Sequence, residues 1–317
     1  MREVTMRLST TLVAAAVVGL AAPASLVGPF VLEAQAKLAV VATTSDLAAL
    51  ARAVGGADTD VRAIARPTED PHFVDAKPSY AKLLNGADLL IDGGAALESG
   101  WLPPLLDAAR NPKLAPGAAG RVVAAAGIGL LEVPTTLSRA QGDVHPLGNP
   151  HYLLDPGNGG IAAATIADAM ATVDPGNAER YRANLARFRS ALESKLAEWD
   201  LLMKPHRGLK LVTYHKSFDY LAKRFGLEIV GMLEPKPGIP PSPAYLAELI
   251  PRMRAAKVQL ILIEPNRERQ VPDFVAEKTG ARVLALPIMP GVPEAPEYLD
   301  LIDHDLKEIA AAAAGGS

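Results

Sequence analysis

Three of the six histidines in this chain stand where an α/β fold presents chemistry. His72 lies in Glu69-Asp70-Pro71-His72-Phe73, a Pro-containing turn beyond a strand-like run. His151 lies in Asn149-Pro150-His151-Tyr152-Leu153-Leu154-Asp155-Pro156, a second Pro-rich turn. His215 closes the apolar run Leu211-Val212-Thr213-Tyr214-His215, just before a helical stretch. Strand ends and the loops beyond them are where parallel sheets gather functional groups. Imidazole is a strong ligand for Zn²⁺ and its neighbours, and three of them supply most of a four-coordinate shell. An isolated histidine is more often a surface group or a hydrogen-bonded core residue. No compact HExxH or CxxC pattern occurs, so metal chemistry depends on these three loops converging. His145, in Gln141-Gly142-Asp143-Val144-His145-Pro146, is a solvated loop residue or an aid to transient metal capture. His206 and His304 read as structural or exposed.

The elements needed to bring the three together are legible in outline. An apolar β-rich run at Lys37 to Thr43 leads into Thr44-Ser45-Asp46, which can cap a helix over Leu47 to Val54, ended by Gly55-Gly56. Strands follow at Val61 to Ala65, Ala87 to Ile91 and Arg121 to Ala125, with helices near Ser79 to Asn85 and Trp101 to Ala109. Such alternation predicts parallel α/β units. A long helix runs from Ala178 to about Met203, with Tyr181, Leu185, Phe188, Leu192, Leu196 and Leu201 at three- and four-residue steps. At 1.5 Å per residue it would be roughly 39 Å long, enough to join two lobes as a rigid backbone. The second half repeats the pattern. Strands are expected at Leu209 to Tyr214, Leu227 to Val230, Val258 to Ile263 and Arg282 to Leu286. Helices are expected at Ser217 to Phe225, Pro243 to Ala256, Gln270 to Thr279 and Pro296 to Ala313. The expected segmentation is 37–173, 174–205 and 206–317: lobe, linking helix, lobe. A cleft between two such lobes is a favoured place for a small ligand.

Bulk properties narrow the function further. The 317 residues carry a net charge of −3 and no long basic run, which gives no footprint for nucleic acid. No GxxxxGK[ST] loop is present, so the chain is not an ATPase subunit. Arg2 and Arg7 precede an uncharged stretch from Ser9 to Leu32, and Ala34-Gln35-Ala36 offers a small-x-small cleavage site. Residues 1–36 therefore read as an export signal cut near Ala36, with an uncleaved anchor as the alternative. Cysteine is absent, so the exported domains hold without disulfides and without a lipid-anchoring Cys. These features predict a free periplasmic protein.

Several motifs appear together in a characteristic order. They are Thr43-Thr44-Ser45-Asp46-Leu47, Asp70-Pro71-His72-Phe73, Pro150-His151-Tyr152-Leu153-Leu154-Asp155-Pro156, Val212-Thr213-Tyr214-His215-Lys216-Ser217-Phe218 and Pro241-Ser242-Pro243-Ala244. In this order the chain resembles the zinc/manganese substrate-binding proteins of bacterial ABC transporters. The resemblance implies two Rossmann-like α/β lobes joined by one long rigid helix, with a metal between them. It places His72, His151 and His215 at the first three ligand positions. A His at the third is similar to zinc-type members, whereas manganese-type members often carry a carboxylate there. Zn²⁺ is thus the expected cargo, ahead of Mn²⁺. A permease and its ATPase are the expected partners, with a metallochaperone as a further one, and the protein is expected to act as a monomer without catalysis.

Two departures stand out. Many members draw a fourth ligand, often Asp, from the loop after the last strand. Here that loop is Leu286-Pro287-Ile288-Met289-Pro290-Gly291-Val292-Pro293, without a carboxylate. Glu264, Glu294, Asp300 and water remain open for that position. Many zinc-type members also carry a His-rich loop before the second ligand, and this chain has only His145. Asp70 and Asp155 are candidates for orienting the nearby imidazoles, or serve simply as turn formers before proline. A zinc hydrolase is the alternative function, since three His with an open position resembles a catalytic zinc site, but no evident general base accompanies it. A metal-dependent adhesin or sensor of the same fold is another.

Overall fold

The computed structural model describes residues 1, 3, 5, 6, 8–12, 36–134, 146–236 and 238–315. Most of the expected export signal, and His145, lie outside the described residues. The chain divides into 1–35 and 36–317, and the described residues of the first unit form no helix or strand. No helix among the described residues is long and apolar enough to cross a membrane.

The larger unit contains two four-stranded parallel sheets with the same internal order. In the first, β1 (Leu38–Ala42) lies between β2 (Thr59–Ala63) and β3 (Leu89–Asp92), and β4 (Arg121–Val123) flanks β3. In the second, β5 (Lys210–Thr213) lies between β6 (Glu228–Met232) and β7 (Leu260–Ile263), and β8 (Arg282–Ala285) flanks β7. Helices α1 (Ser45–Gly55), α2 (Pro78–Asn85) and α3 (Leu102–Ala109) serve the first sheet. Helices α6 (Asp219–Phe225), α7 (Pro243–Ala256) and α8 (Gln270–Thr279) serve the second. Between the sheets in sequence come α4 (Pro156–Val173) and α5 (Ala178–Met203), and α9 (Tyr298–Ala314) ends the fold. Two α/β lobes with a long helix between them are therefore present, as the sequence predicts.

The period-2 alternation of a strand explains how the core divides. In the first lobe Val40, Ala42, Leu89 and Ile91 face one cluster, while Val41 and Leu90 face another with Leu84, Trp101 and Leu105. In the second lobe Leu211, Leu260 and Leu262 join the first cluster, while Val212, Ile261 and Ile263 face Leu249, Met253 and Val275. The inner faces of both sheets thus share one continuous core. Tyr181, Phe188, Leu192, Trp199 and Met203 of α5 are buried in it, as are Ile166 and Met170 of α4 and Leu301, Ile302 and Ile309 of α9. The 26-residue α5, the long helix between the lobes, is buried along one side in the core they share. Leu201, expected on its apolar face, points outward at 72 % exposure; Leu185 and Leu196 pack only partly.

One long helix was not expected: α4. Its opening, Pro156-Gly157-Asn158-Gly159-Gly160, looks like a turn, yet Asp155 caps it by accepting the Gly157 N–H at 2.9 Å. Gly159 is required there. A Cβ at this position would stand 2.2 Å from the hydroxyl oxygen of Tyr298, which donates to Leu153 O at 2.7 Å. Further links tie the lobes together. Tyr220 donates to Asn149 O at 2.8 Å and accepts the Leu131 N–H at 2.8 Å. Ser45 Oγ donates to Pro290 O at 2.7 Å, and Arg52 pairs with Glu297 at 2.9 Å.

Candidate metal centre

The three histidines come from the carboxyl ends of three strands or from the loops beyond them. His72 follows β2 in a turn that Asp70 shapes: its Oδ1 accepts the His72 backbone N–H at 3.0 Å, and Phe73 N–H closes on Asp70 O at 3.1 Å. Trp101 Nε1 donates to Pro71 O at 3.0 Å and pins the turn to the first lobe. His151 precedes the single turn that leads into α4. Its N–H donates to Asn149 Oδ1 at 2.9 Å, and the Asn149 amide donates to Lys216 O at 2.9 Å, so one buried Asn fixes the turn against the second lobe. His215 lies two residues past the end of β5 and is buried.

These separate origins converge. Ring centroids lie 5.1 Å apart for His72 and His151, 5.4 Å for His72 and His215, and 5.5 Å for His151 and His215. One ring nitrogen from each lies within 4.8 Å of the others, and no carboxylate joins this set among the described residues. Carboxylates instead stand behind the rings. Asp70 Oδ1 meets His72 Nδ1 at 2.6 Å, and Glu234 Oε2 meets His215 Nδ1 at 2.7 Å. Glu234 is itself held by the Gly238 N–H, 2.7 Å from its Oε1. A carboxylate on Nδ1 fixes ring orientation and tautomer and raises the basicity of the other nitrogen. Burial alone would push the Asp70 carboxyl up, but the His72 hydrogen bond and charge, with the Arg267 guanidinium, hold it down at about 2. Asp219, beyond His215, goes the other way: burial and then the Glu132 charge push it up to about 6.

Of the two orienting candidates from sequence, Asp70 sits on an imidazole, whereas Asp155 caps α4. Glu234 escaped the sequence reading. The available signal was sheet adjacency: β6 pairs with β5, so the residue just past β6 lies beside the one just past β5. The three carboxylates left open as a fourth ligand lie outside the set. Glu264 is buried and accepts the Ser217 hydroxyl. Glu294 is exposed, and Asp300 accepts the Glu297 N–H in the capping box of α9. His206, in the short turn after α5, and His304, on α9, lie outside it too.

A family model described as "Zinc-uptake complex component A periplasmic" matches residues 40–312. The chain belongs to this family. Its members are substrate-binding proteins of metal ABC transporters and not enzymes. A manganese ABC transporter substrate-binding lipoprotein, PsaA, of Streptococcus mitis is 25 % identical over 283 residues, covering 86 % of this chain and 88 % of its own. An iron ABC transporter substrate-binding lipoprotein, MtsA, of Streptococcus pyogenes serotype M1 is 25 % identical over 251 residues, 77 % of each chain. Among solved structures, a crystal structure of ZnuA superposes with a TM-score of 0.74 at 24 % identity, covering 87 % of this chain and 98 % of that one. A periplasmic metal-binding protein from Candidatus Liberibacter asiaticus has a TM-score of 0.71 at 24 % identity, covering 87 % and 99 %. The likeness in structure bears out the two-lobe α/β fold.

Proposed function

We propose that this substrate-binding protein captures Zn²⁺ through His72, His151 and His215 and delivers it to an ABC permease. The observation that carries this reading is the meeting of three imidazoles from three loops, two of them backed by carboxylates on Nδ1. Donation of Nδ1–H to Asp70 and Glu234 leaves Nε2 of those rings as the ligand atom. Nitrogens on a tetrahedral ion with bonds of about 2.0–2.1 Å stand roughly 3.3 Å apart, a spacing that small ring movements can reach. An all-imidazole set suits Zn²⁺ better than Mn²⁺, which prefers carboxylate, carbonyl and water oxygen. The fourth position is assigned to water. Protons compete for the same nitrogens, so affinity falls as pH drops.

Residues 1–36 are read as a cleaved export signal, giving a free periplasmic monomer with lobes over 37–173 and 206–317 and a linking segment over 174–205. Its partners are the permease, through it the ATPase, and a metal donor of metallochaperone type. The manganese and iron relatives supply the competing reading. Competitive titration of the purified protein with Zn²⁺, Mn²⁺ and Fe²⁺, with elemental analysis after reconstitution, decides between them. One Zn²⁺ per chain is expected, held more tightly than Mn²⁺ and lost in His72→Ala/His215→Ala. Undiminished binding in that double variant would remove the assigned site, and preference for Mn²⁺ would remove zinc as cargo.

A further inference from the structure

Arg267 touches the support of two of the three histidines from opposite sides. It lies on the loop between β7 and α8, in the second lobe. Its Nη2 stands 3.3 Å from Asp70 Oδ2, in the first lobe, while the other oxygen of Asp70 holds His72 Nδ1 at 2.6 Å. Its Nε stands 3.5 Å from Glu264 Oε2, and the other oxygen of Glu264 accepts the hydroxyl of Ser217. Its guanidinium carbon lies 5.1 Å from the centre of the Tyr214 ring. Tyr214 and Ser217 bracket His215 in the chain. A single cation thus spans the seam, paired with the orienter of His72 on one side and, on the other, set against Tyr214 before His215 and linked through Glu264 to Ser217 after it.

The environment gives this contact weight. Side-chain exposures are 23 % for Arg267, 18 % for Asp70 and 3 % for Glu264, so solvent screens the pairs less than it screens surface charges. Without the guanidinium, two largely buried carboxylates would lose their common counter-charge, a costly arrangement that drives rearrangement or protonation. Planar guanidinium meets two carboxylates and an aromatic face at once, which an ammonium does less well. Coordination bonds tolerate only about 0.2 Å of error, so a loop displaced by even an ångström loses a ligand.

We propose that Arg267 is a positioning residue that sets the separation of His72 from His215 for metal capture. The inference rests on the three-histidine site proposed above. The test compares wild type, Arg267→Gln, Arg267→Lys, Asp70→Asn and the Arg267→Gln/Asp70→Asn double variant. Each is measured by Zn²⁺ competition titration, by the visible absorption of bound Co²⁺ and by urea unfolding of the metal-free protein. Arg267→Gln is expected to weaken Zn²⁺ binding 10–100-fold, the range for groups that orient ligands, and to weaken the Co²⁺ bands of four-coordinate geometry. Arg267→Lys recovers part of both. The double variant falls well short of the sum of the single losses, because both act on one path. Should Arg267→Gln not fold, Arg267→Lys and Asp70→Asn carry the comparison. Zn²⁺ affinities within twofold of wild type with an unchanged Co²⁺ spectrum would overturn the proposal, whatever happens to metal-free stability, and so would fully additive losses. Wild type that binds no Zn²⁺ would overturn the site itself. Wild type that binds, with loss in His72→Ala/His215→Ala but not in the Arg267 variants, would overturn the role of Arg267 alone.

Discussion

Replacing Glu98 by Gln tests how the ground beneath the metal centre is held. Glu98 is 5 % exposed, and its Oε1 accepts the Thr43 hydroxyl at 2.6 Å and the Gly93 N–H at 2.6 Å. It thereby joins the chain just past β1 to the chain just past β3. Tyr152, next to His151, donates to Gly93 O at 2.8 Å on the same segment. Burial, aided by the Asp92 charge and opposed by those two donors, pushes the Glu98 carboxyl up from the ordinary 4.5 to about 7. A group raised in the folded state costs nothing while both states are protonated, below about pH 4.5. As pH rises the unfolded chain releases its proton first, and stability falls until the folded carboxyl ionises near pH 7. At about 1.4 kcal/mol for each pH unit, that loss comes to about 3 kcal/mol. Glutamine keeps the acceptor oxygen and removes the charge. Its new amide N–H₂ carries a cost that does not vary with pH, so the difference between the two proteins is the clean quantity. Urea unfolding of the metal-free protein from pH 4.5 to 8 should show the variant gaining about 3 kcal/mol on wild type across that range. Parallel profiles would refute the raised carboxyl and the linkage drawn from it.

Two further outcomes follow from named contacts. Glu234→Gln keeps the shape of the support behind His215 but weakens its charge-assisted bond, and Zn²⁺ affinity measured by competition titration should fall 10–100-fold with little change in unfolding midpoint. Gly159→Ala drives a methyl to within 2.2 Å of the Tyr298 hydroxyl oxygen, so despite better helix propensity it should cost about 1–3 kcal/mol in urea unfolding; an unchanged or higher midpoint would show that the α4–α9 seam yields easily.

What was legible in the sequence, and what was not, follows from the reach of each signal. Local periodicity located the eight strands among the described residues within a few positions and gave the bounds of α7 and α8 as they stand, helped by Ser242-Pro243 at the start of α7 and Gly280 at the end of α8. The three histidines were legible because each sits at a strand end or in a Pro-bearing turn, places where side chains leave the sheet. The misses share one cause. α4 buries one face through Gly159, Ala162, Ala163, Ile166, Ala167 and Met170, but that face is largely Ala and Gly and the exposed side carries Ile161, so the stripe has little contrast; Gly159 is explained only by Tyr298, 139 positions further on in the chain. Leu201 reads as the next step of a helical stripe along α5, but it lies on the face opposite Trp199 and Met203, which carry the core contact to the end of the helix. Glu234 and Arg267 act on histidines 19 residues and far more away in sequence, through strand order in one case and across the seam in the other. Ligands are visible locally because their own turns must present them. The groups that orient those ligands belong to other elements, and only the packing of both lobes on one core brings them together. A centre assembled in this way depends on the whole fold, and single changes at its supports should therefore alter metal affinity without altering the list of ligands.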